Sequence, residues 1–135
     1  MFRFGIKQLI LLISLLIVID QLIKWWVIKY HPSFVFENKG IVFGFIQNEA
    51  ISYLLLAIGF LILILLILKT RLSLIVYRLS LVLIITGAMS NLIDRIFRGY
   101  VVDYFIFFGL NHFNLADVFI IVGVILYLQQ TLKHK

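Results

Sequence analysis

Four stretches of the sequence are each long and apolar enough to cross a lipid bilayer as an α-helix. They cover about residues 8–28, 50–68, 72–93 and 113–132. A membrane-spanning helix needs roughly 20 mostly apolar residues, each rising about 1.5 Å. The composition agrees, because 64% of the residues are hydrophobic and 13% are charged, against about 45–50% and 25% in soluble domains. We therefore expect an all-α integral membrane protein in which residues 1–135 form a single domain.

The lysines and arginines predict how these helices are oriented. One side of the membrane would hold six of them, Arg3, Lys7, Lys69, Arg71, Lys133 and Lys135. The other side would hold three or four, Lys29, Lys39, Arg98 and, near the surface, Arg95. Basic residues near the ends of spans are enriched on the cytoplasmic side. We expect both termini in the cytoplasm and the segments 31–49 and 96–112 on the outside.

Both external segments have the sequence pattern of short strands rather than of ordinary loops. In the first, "SFVFE" and "IVFGFIQ" are joined by "NKG", which predicts a β-hairpin. In the second, an apolar stretch reverses direction near residues 109–111. Because these strands are rich in Phe, Val and Ile, we expect them to form a small external cradle that lies on the membrane surface.

The acidic residues are few and unevenly placed. Of the six in the chain, four are aspartates at the outer ends of predicted spans or in the apolar external segments, namely Asp20, Asp94, Asp103 and Asp117. An ionisable group is costly inside a membrane, so each one is a functional hypothesis with a partner to be found.

Two of these aspartates also fit purely structural roles. Asp20 and Lys24 are four residues apart on the first helix, with the acid first, which suits a helical ion pair. Gly87, Asn91 and Asp94 share one face of the third helix, where small and polar residues promote close helix contact. Asp94 could also pair with Arg95 or cap the helix end, and the sequence does not choose between these roles.

The remaining two aspartates are predicted to approach each other. Asn114 and Asp117 lie in the first turn of the fourth helix, where an aspartate also serves as a cap. Asp103 lies among valines and aromatic residues, 14 residues earlier, with the chain reversal between them. Two carboxylates in one desolvated site cannot both ionise easily, so one pKa rises. A shared proton of this kind is the chemistry of aspartic proteases.

The sequence offers no comparable pattern for other chemistry. The chain has no cysteine, and its three histidines, His31, His112 and His134, are dispersed. We therefore expect no metal site. The basic residues are scattered and form no stripe that would suit a nucleic acid.

Four motifs, in this order, resemble the lipoprotein signal peptidase family, the signal peptidase II membrane aspartyl proteases of bacteria. They are "DQLIK" (20–24), "NKGIVFGF" (38–45), "TGAMSNLIDRIFRGYVVDYF" (86–105) and "FNLAD" (113–117). The resemblance covers nearly the whole chain. In "TGAMSN", Thr86 and Ser90 stand where the family pattern has glycine, so we expect altered helix packing there. The segment 104–116 is also shorter than the family pattern, which bears on the shape of the lid over the site.

The resemblance implies an activity and a set of site residues. The family cleaves signal peptides from prolipoproteins before a cysteine that carries diacylglycerol, at the outer face of the cytoplasmic membrane, without a cofactor. Globomycin-type cyclic peptides inhibit it, and nothing requires more than a monomer. The catalytic pair would be Asp103 and Asp117. The supporting and substrate-binding residues would be Asn38, Gly40, Asn91, Asp94, Arg95, Asn114, Asp20 and Lys24.

Two other functions remain compatible with polar groups inside a membrane protein. A small proton-coupled transporter also uses intramembrane aspartates, although it would distribute them across the membrane depth. A non-enzymatic assembly factor would use its polar faces to bind partner helices. Neither alternative needs two aspartates together in the outer half of the membrane.

Overall fold

The computed structural model describes residues 5–40, 58–59, 61–62, 65, 75–107 and 111–133. Within these residues the chain forms three long helices, one short 3₁₀ helix and four short strands. In chain order they are α1 (Ile6–Tyr30), the 3₁₀ helix (Pro32–Phe34), β1 (Phe36–Asn38), α2 (Ile75–Arg98), β2 (Val101–Asp103), β3 (Phe105–Phe107), β4 (Asn111–Phe113) and α3 (Leu115–Lys133).

The three long helices coincide with three of the four predicted spans. Each is long and apolar enough to cross a membrane. The remaining predicted span, 50–68, lies mostly outside the described residues, and those of its residues that are described are helical. Helix α2 ends at Arg98 instead of near residue 93, because its last turn has polar partners on neighbouring elements. Helix α3 begins at Leu115 instead of near 113, because Phe113 belongs to β4.

Helices α2 and α3 pack closely because glycines lie at their contact. A Cβ atom added at Gly123 on α3 would lie 2.7 Å from the carbonyl oxygen of Ser80 on α2. A Cβ atom added at Gly87 on α2 would overlap the carbonyl oxygen of Ala116 on α3. Side chains larger than glycine at these positions would force the two backbones apart. Membrane helices commonly use small residues in this way, since lipid gives them no hydrophobic force to associate.

Helices α1 and α2 are joined by hydrogen bonds between polar side chains. The Ser90 hydroxyl donates to Asp20 Oδ2 at 2.6 Å and accepts from the side-chain amide of Gln21 at 3.0 Å. Thr86, one turn earlier on α2, is fully buried. The Ser90 hydroxyl therefore links these two helices.

The strands connect the two external segments. β1 pairs antiparallel with β2, with Phe36 opposite Asp103 and Asn38 opposite Val101. The predicted strand at 33–37 is wrong at its start, because Pro32 initiates a 3₁₀ helix that continues to Phe34. The second strand of the predicted hairpin, 41–47, lies outside the described residues.

The second external segment reverses direction as predicted. β3 and β4 pair antiparallel, with Phe107 opposite Asn111 and Phe105 opposite Phe113. This reversal returns the chain from β2 to the start of α3, so that Asp103 and Asn114 come together. The two sheets also touch through side chains, because the rings of Phe36 and His112 stack with centroids 4.1 Å apart.

The end of α2 sets the direction of the chain into β2. Gly99 has a φ of +79°, in the left-handed region, and its N–H donates to the Arg95 carbonyl at 3.1 Å. Glycine is favoured at this position after a helix because it has no Cβ to clash. Exposed Trp25, Trp26 and Tyr30 lie at the same end of the molecule, on α1. Tryptophan and tyrosine are enriched where a span leaves the bilayer.

Candidate active site

Asp103 is held by two asparagine side chains at the end of β2. It is fully buried. Its Oδ1 accepts from Asn114 Nδ2 at 2.7 Å, and its Oδ2 accepts from Asn38 Nδ2 at 2.9 Å. Asn38 reaches it from β1 because the two residues are diagonal neighbours on one face of the β1–β2 pair. The pairing of the two external segments therefore creates half of this site.

Asp117 also has a hydrogen bond to each carboxylate oxygen. Oδ1 accepts from Asn91 Nδ2 at 2.8 Å, and Oδ2 accepts from the Asn114 N–H at 3.2 Å. In return, the Asp117 N–H donates to Asn114 Oδ1 at 3.0 Å. This reciprocal pair is a capping box at the start of α3, with aspartate in the place of the more common glutamate. The predicted capping role uses Oδ2 and leaves Oδ1 free to accept from Asn91.

Asn114 is the residue that brings the two carboxylates together. Its side-chain oxygen must accept the Asp117 N–H, so its amino group has to point the other way, toward Asp103 Oδ1. Asn38 is fixed in the same manner, because its side-chain oxygen accepts the Gly40 N–H at 3.0 Å. A backbone N–H can only donate, so it determines which end of each amide is which.

Burial and charge at this site disfavour ionisation of Asp103. Its pKa is raised to about 6, mainly by removal from water and further by repulsion from Asp117. The amide N–H groups of Asn38 and Asn114 lower its pKa and so limit the shift. The result is a carboxyl group whose proton is exchanged near neutral pH, which is a common property of catalytic acids and bases.

Tyr104 connects the site to the first turn of α3. Its hydroxyl accepts the Leu115 N–H at 3.2 Å, which satisfies one of the free donors at the start of that helix. Burial raises the pKa of Tyr104 above its usual value, so the hydroxyl remains protonated at neutral pH.

A network of buried charges lies beside the two carboxylates. The Lys24 ammonium contacts Asp20 Oδ2 at 2.8 Å and Asp94 Oδ2 at 2.7 Å, and all three side chains are fully buried. Asp94 also pairs with Arg98, one turn further along α2. Two acids and two bases thus compensate each other, as buried charges must. The predicted Asp20–Lys24 pair is present, and it is part of this larger cluster.

The partners of Asp94 differ from the pairing with Arg95 or the cap of the helix end that the sequence allowed. Instead of Arg95, its carboxylate pairs with Lys24 on α1 and with Arg98. It also accepts the Val102 N–H at 3.2 Å, which ties β2 to α2. Arg95 instead donates to the Gly40 carbonyl at 2.9 Å and to the Asn91 carbonyl at 3.3 Å. Arg95 therefore holds the turn after β1 against the end of α2.

The structure thus brings most of the predicted residues into one connected network. Asn38, Asn91 and Asn114 contact the two carboxylates directly. Asp20 is one step further away, since its contacts are Lys24 and Ser90. Among the described parts of the chain, no group of three or more histidine or acidic side chains is arranged to hold a metal ion.

Sequence reasoning missed Gln21 and Arg98. The Gln21 amide donates to Ser90 and Asp94, and its oxygen accepts from Arg98 at 2.9 Å. Arg98 could have been found, because it follows Asp94 by four residues, the same spacing that identified Asp20 and Lys24. Gln21 carries no charge, but it is an amide side chain inside an apolar span and lies in the motif "DQLIK", so it too could have been found.

This geometry provides two carboxyl groups, Asp103 fully buried and Asp117 partly buried, that can exchange a proton with a bound molecule. They lie at one end of α2 and α3, where the exposed aromatic residues of α1 also lie. A pair of this kind can take a proton from water with one group and give a proton with the other.

Comparison with known proteins identifies the group to which the chain is related. A family model described as "Signal peptidase (SPase) II" matches residues 12–133. A protein from Clostridioides difficile (strain 630) named "Lipoprotein signal peptidase" is 41% identical over 132 residues, which cover 86% of this chain and 88% of that protein. One of the same name from Caldanaerobacter subterraneus subsp. tengcongensis is 34% identical over 134 residues, covering 87% and 90%.

A solved structure has the same fold. It is described as a bacterial membrane enzyme determined by the in meso method, and it superposes with a TM-score of 0.78 at 25% sequence identity. The alignment covers 97% of this chain and 91% of the other. The family match, the two relatives and the shared fold agree with the four motifs in the sequence. This chain belongs to the signal peptidase II family of membrane peptidases.

Proposed function

We propose that the chain cleaves the signal peptide from diacylglyceryl-modified prolipoproteins, immediately before the lipidated cysteine, by an aspartic mechanism. The observation that carries this proposal is the shared contact of Asp103 and Asp117 with Asn114, in a buried site. Membership of the signal peptidase II family supports a peptidase over a transporter or an assembly factor.

The proposed reaction uses one proton held between the two aspartates. The ionised carboxylate takes a proton from a water molecule while the water oxygen attacks the carbonyl carbon of the residue before the cysteine. The protonated carboxyl group stabilises the oxygen of the resulting tetrahedral intermediate. When the carbon–nitrogen bond breaks, a proton from the pair passes to the departing amine of the cysteine. Water is consumed and no other reactant is needed.

The surrounding residues have supporting roles in this proposal. Asn38, Asn91 and Asn114 orient the two carboxylates through their amide N–H groups. Gly40 and Arg95 hold the turn that follows β1 beside the site. Asn91 is held in place by the buried ion-pair cluster of Asp20, Lys24 and Asp94, because Lys24 donates to its side-chain oxygen.

The substrate would approach from the membrane. Its diacylglycerol chains would remain in the outer leaflet while the peptide reaches the carboxylates below the strands. Exposed Phe34, Phe36 and Phe105 give this end of the molecule an apolar surface that suits a lipid-bearing substrate. We place both termini in the cytoplasm and the site toward the outer face. Globomycin-type cyclic peptides would compete for the same site, and the protein would act as a monomer.

The decisive experiment measures cleavage of a diacylated prolipoprotein peptide by the purified protein in lipid or detergent. Asp103→Asn and Asp117→Asn should each lower kcat by about 10³-fold or more, since each removes a proton-transfer group. Glu37→Gln is the matched control, because this exposed carboxylate is next to Asn38 on β1 but lies outside the site. Normal cleavage by either aspartate variant would refute the aspartic mechanism.

A further inference from the structure

Asn91 differs from the other two asparagines of the site in what fixes its orientation. Its Nδ2 donates to Asp117 Oδ1 at 2.8 Å. Its Oδ1 accepts from Lys24 Nζ at 3.1 Å and from Asn114 Nδ2 at 3.2 Å. A backbone N–H donates to the side-chain oxygen of Asn38 and of Asn114 and determines its orientation. The side-chain oxygen of Asn91 instead accepts from the ammonium group of Lys24.

The alternative orientation of Asn91 would be unfavourable at both ends. Rotation of the amide by half a turn would put its oxygen against the Asp117 carboxylate and its N–H groups against the Lys24 ammonium. An ammonium group has three donors and no acceptor, and an ionised carboxylate only accepts. Both contacts would then be repulsive. Lys24 and Asp117 together therefore select one orientation of the Asn91 amide. Lys24 acts at the amide oxygen, on the side that faces away from Asp117.

Lys24 is itself held in one position. Its three N–H donors match three acceptors, Asp20 Oδ2 at 2.8 Å, Asp94 Oδ2 at 2.7 Å and Asn91 Oδ1 at 3.1 Å. The side chain is fully buried. All its donors are used and none is left to contact a substrate. Its position suits a group that acts through another residue.

We propose that Lys24 is a positioning residue, which locks the Asn91 amide so that its N–H group points at the Asp117 carboxylate. This inference rests on the proposed function, because it assigns a consequence to the orientation of a group that contacts Asp117. Without the ammonium group, Asn91 keeps only the Asn114 amide as a partner on its oxygen side, and its hydrogen bond to Asp117 is held less firmly.

The test replaces Lys24 with methionine, which keeps the length of the side chain but removes its charge and donors. Lys24→Met should lower kcat by about 10- to 100-fold, the value of a hydrogen bond to a charged group, and should change KM by less than about threefold. Lys29→Met is the matched control, since Lys29 is an exposed lysine on the same helix whose ammonium lies over the rings of Trp25 and Tyr30. It should leave kcat unchanged.

A double substitution separates positioning from a general structural role. If Lys24 acts through Asn91, then Lys24→Met combined with Asn91→Ala should be no slower than the slower of the two single variants. A kcat reduced by the product of the two single effects would overturn the inference. An unchanged kcat in folded Lys24→Met would also overturn it.

A second variant keeps the test decisive if Lys24→Met does not fold. Lys24→Met with Asp20→Asn removes one charge of each sign and leaves Asp94 paired with Arg98. Its kcat should be about 10- to 100-fold below that of Asp20→Asn alone. Equal values would overturn the inference. If Asp103→Asn and Asp117→Asn abolish cleavage and this pair shows no difference, then this inference alone fails and the proposed function stands.

Rescue provides a readout that a packing defect would not give. The chain has no cysteine, so Lys24→Cys introduces a single thiol. Alkylation of that thiol with bromoethylamine in unfolded protein restores a side chain with a terminal ammonium. After reconstitution, the alkylated protein should regain most of the lost kcat, and alkylation with ethyl bromide should not restore it. Equal recovery with both reagents would show that bulk matters and not the donor.

Discussion

The contact between α2 and α3 sets the distance between the side chains of Asn91 on α2 and Asp117 on α3. Gly87→Ala tests this directly. A Cβ atom at position 87 would overlap the Ala116 carbonyl oxygen and lie 2.7 Å from Ile120 Cγ1. The isoleucine side chain can rotate away, but the carbonyl belongs to the first turn of α3 and cannot. Ala116 precedes Asp117, and Gly87 lies one turn before Asn91. The overlap therefore pushes apart the two helices that hold these side chains.

The size of the effect follows from the distances. Relief of the overlap requires α3 to move from α2 by about 1 Å, at a cost of about 1–3 kcal/mol in stability. The hydrogen bond from Asn91 Nδ2 to Asp117 Oδ1 is 2.8 Å long. The same movement would lengthen it to about 3.8 Å, beyond the range of a hydrogen bond. A misplacement of this size lowers kcat/KM by about 100-fold.

The assay measures kcat/KM on the diacylated peptide together with thermal unfolding in the same detergent. Gly123→Ala is the comparison, because its Cβ would lie 2.7 Å from the Ser80 carbonyl oxygen, in the same interface. Position 123 is roughly 9 Å along α3 from Asp117. Gly123→Ala should lose a similar amount of stability to Gly87→Ala, but its kcat/KM should fall by less than about fivefold.

A second control removes the effect of helix propensity. At Gly59, which is helical, an added Cβ meets nothing within 4 Å. Gly59→Ala should therefore gain up to about 1 kcal/mol in stability, and its activity should not change. If Gly87→Ala keeps normal kcat/KM while it loses stability like Gly123→Ala, then helix spacing does not control the site and the reasoning is refuted.

Two further predictions concern protonation and the backbone. As pH falls through about 6, Asp103 becomes protonated. The pair then loses its base, and kcat/KM should fall. Asn38→Ala removes a donor to the ionised carboxylate, so in this variant the fall in kcat/KM should begin at higher pH. An unmoved limb in the pH profile of that variant would contradict the assignment. Gly99→Ala places a Cβ at a φ of +79° and should lower stability by about 1–2 kcal/mol. Gly99→Asn should lose less in thermal unfolding, and equal losses would speak against backbone strain.

Much of the architecture could be predicted because the membrane imposes simple rules. Long apolar runs predict spans, and α1, α2 and α3 follow that rule within a few residues. The ends were less predictable. Helix α2 continues to Arg98 because Asp94 and Arg98 pair on it. Their spacing allowed this, but the apolar pattern stops earlier.

The strands show where sequence patterns fail. "SFVFE" alternates like a strand, yet Pro32 begins a 3₁₀ helix that continues to Phe34, and strand β1 begins only at Phe36. Strand β1 pairs with β2, and 62 residues lie between Asn38 at the end of β1 and Val101 at the start of β2. Pairing over such a distance depends on how the helices bring the two segments together. Local alternation carries no information about that arrangement.

The candidate site was more predictable than its interactions. Charged and amide side chains in an apolar chain are conspicuous, so Asp103, Asp117 and Asn114 could be named from sequence. The choice of partners could not, because it depends on geometry. Asp94 pairs with Lys24 from another helix, although Arg95 is its neighbour in sequence. Uncharged Gln21 joins the same cluster, and its partners could not be predicted from the sequence either.

The properties of Asp103 result from two opposing effects that come from different levels of the structure. Its burial at the end of β2 removes water and raises its pKa. The asparagines at positions 38 and 114 donate to its two oxygens and oppose that rise. Burial without these donors would keep the group protonated, and donors without burial would keep it ionised. The proposed mechanism requires a carboxyl group that holds a proton and releases it near neutral pH, and for this Asp103 needs both its burial and its two amide donors.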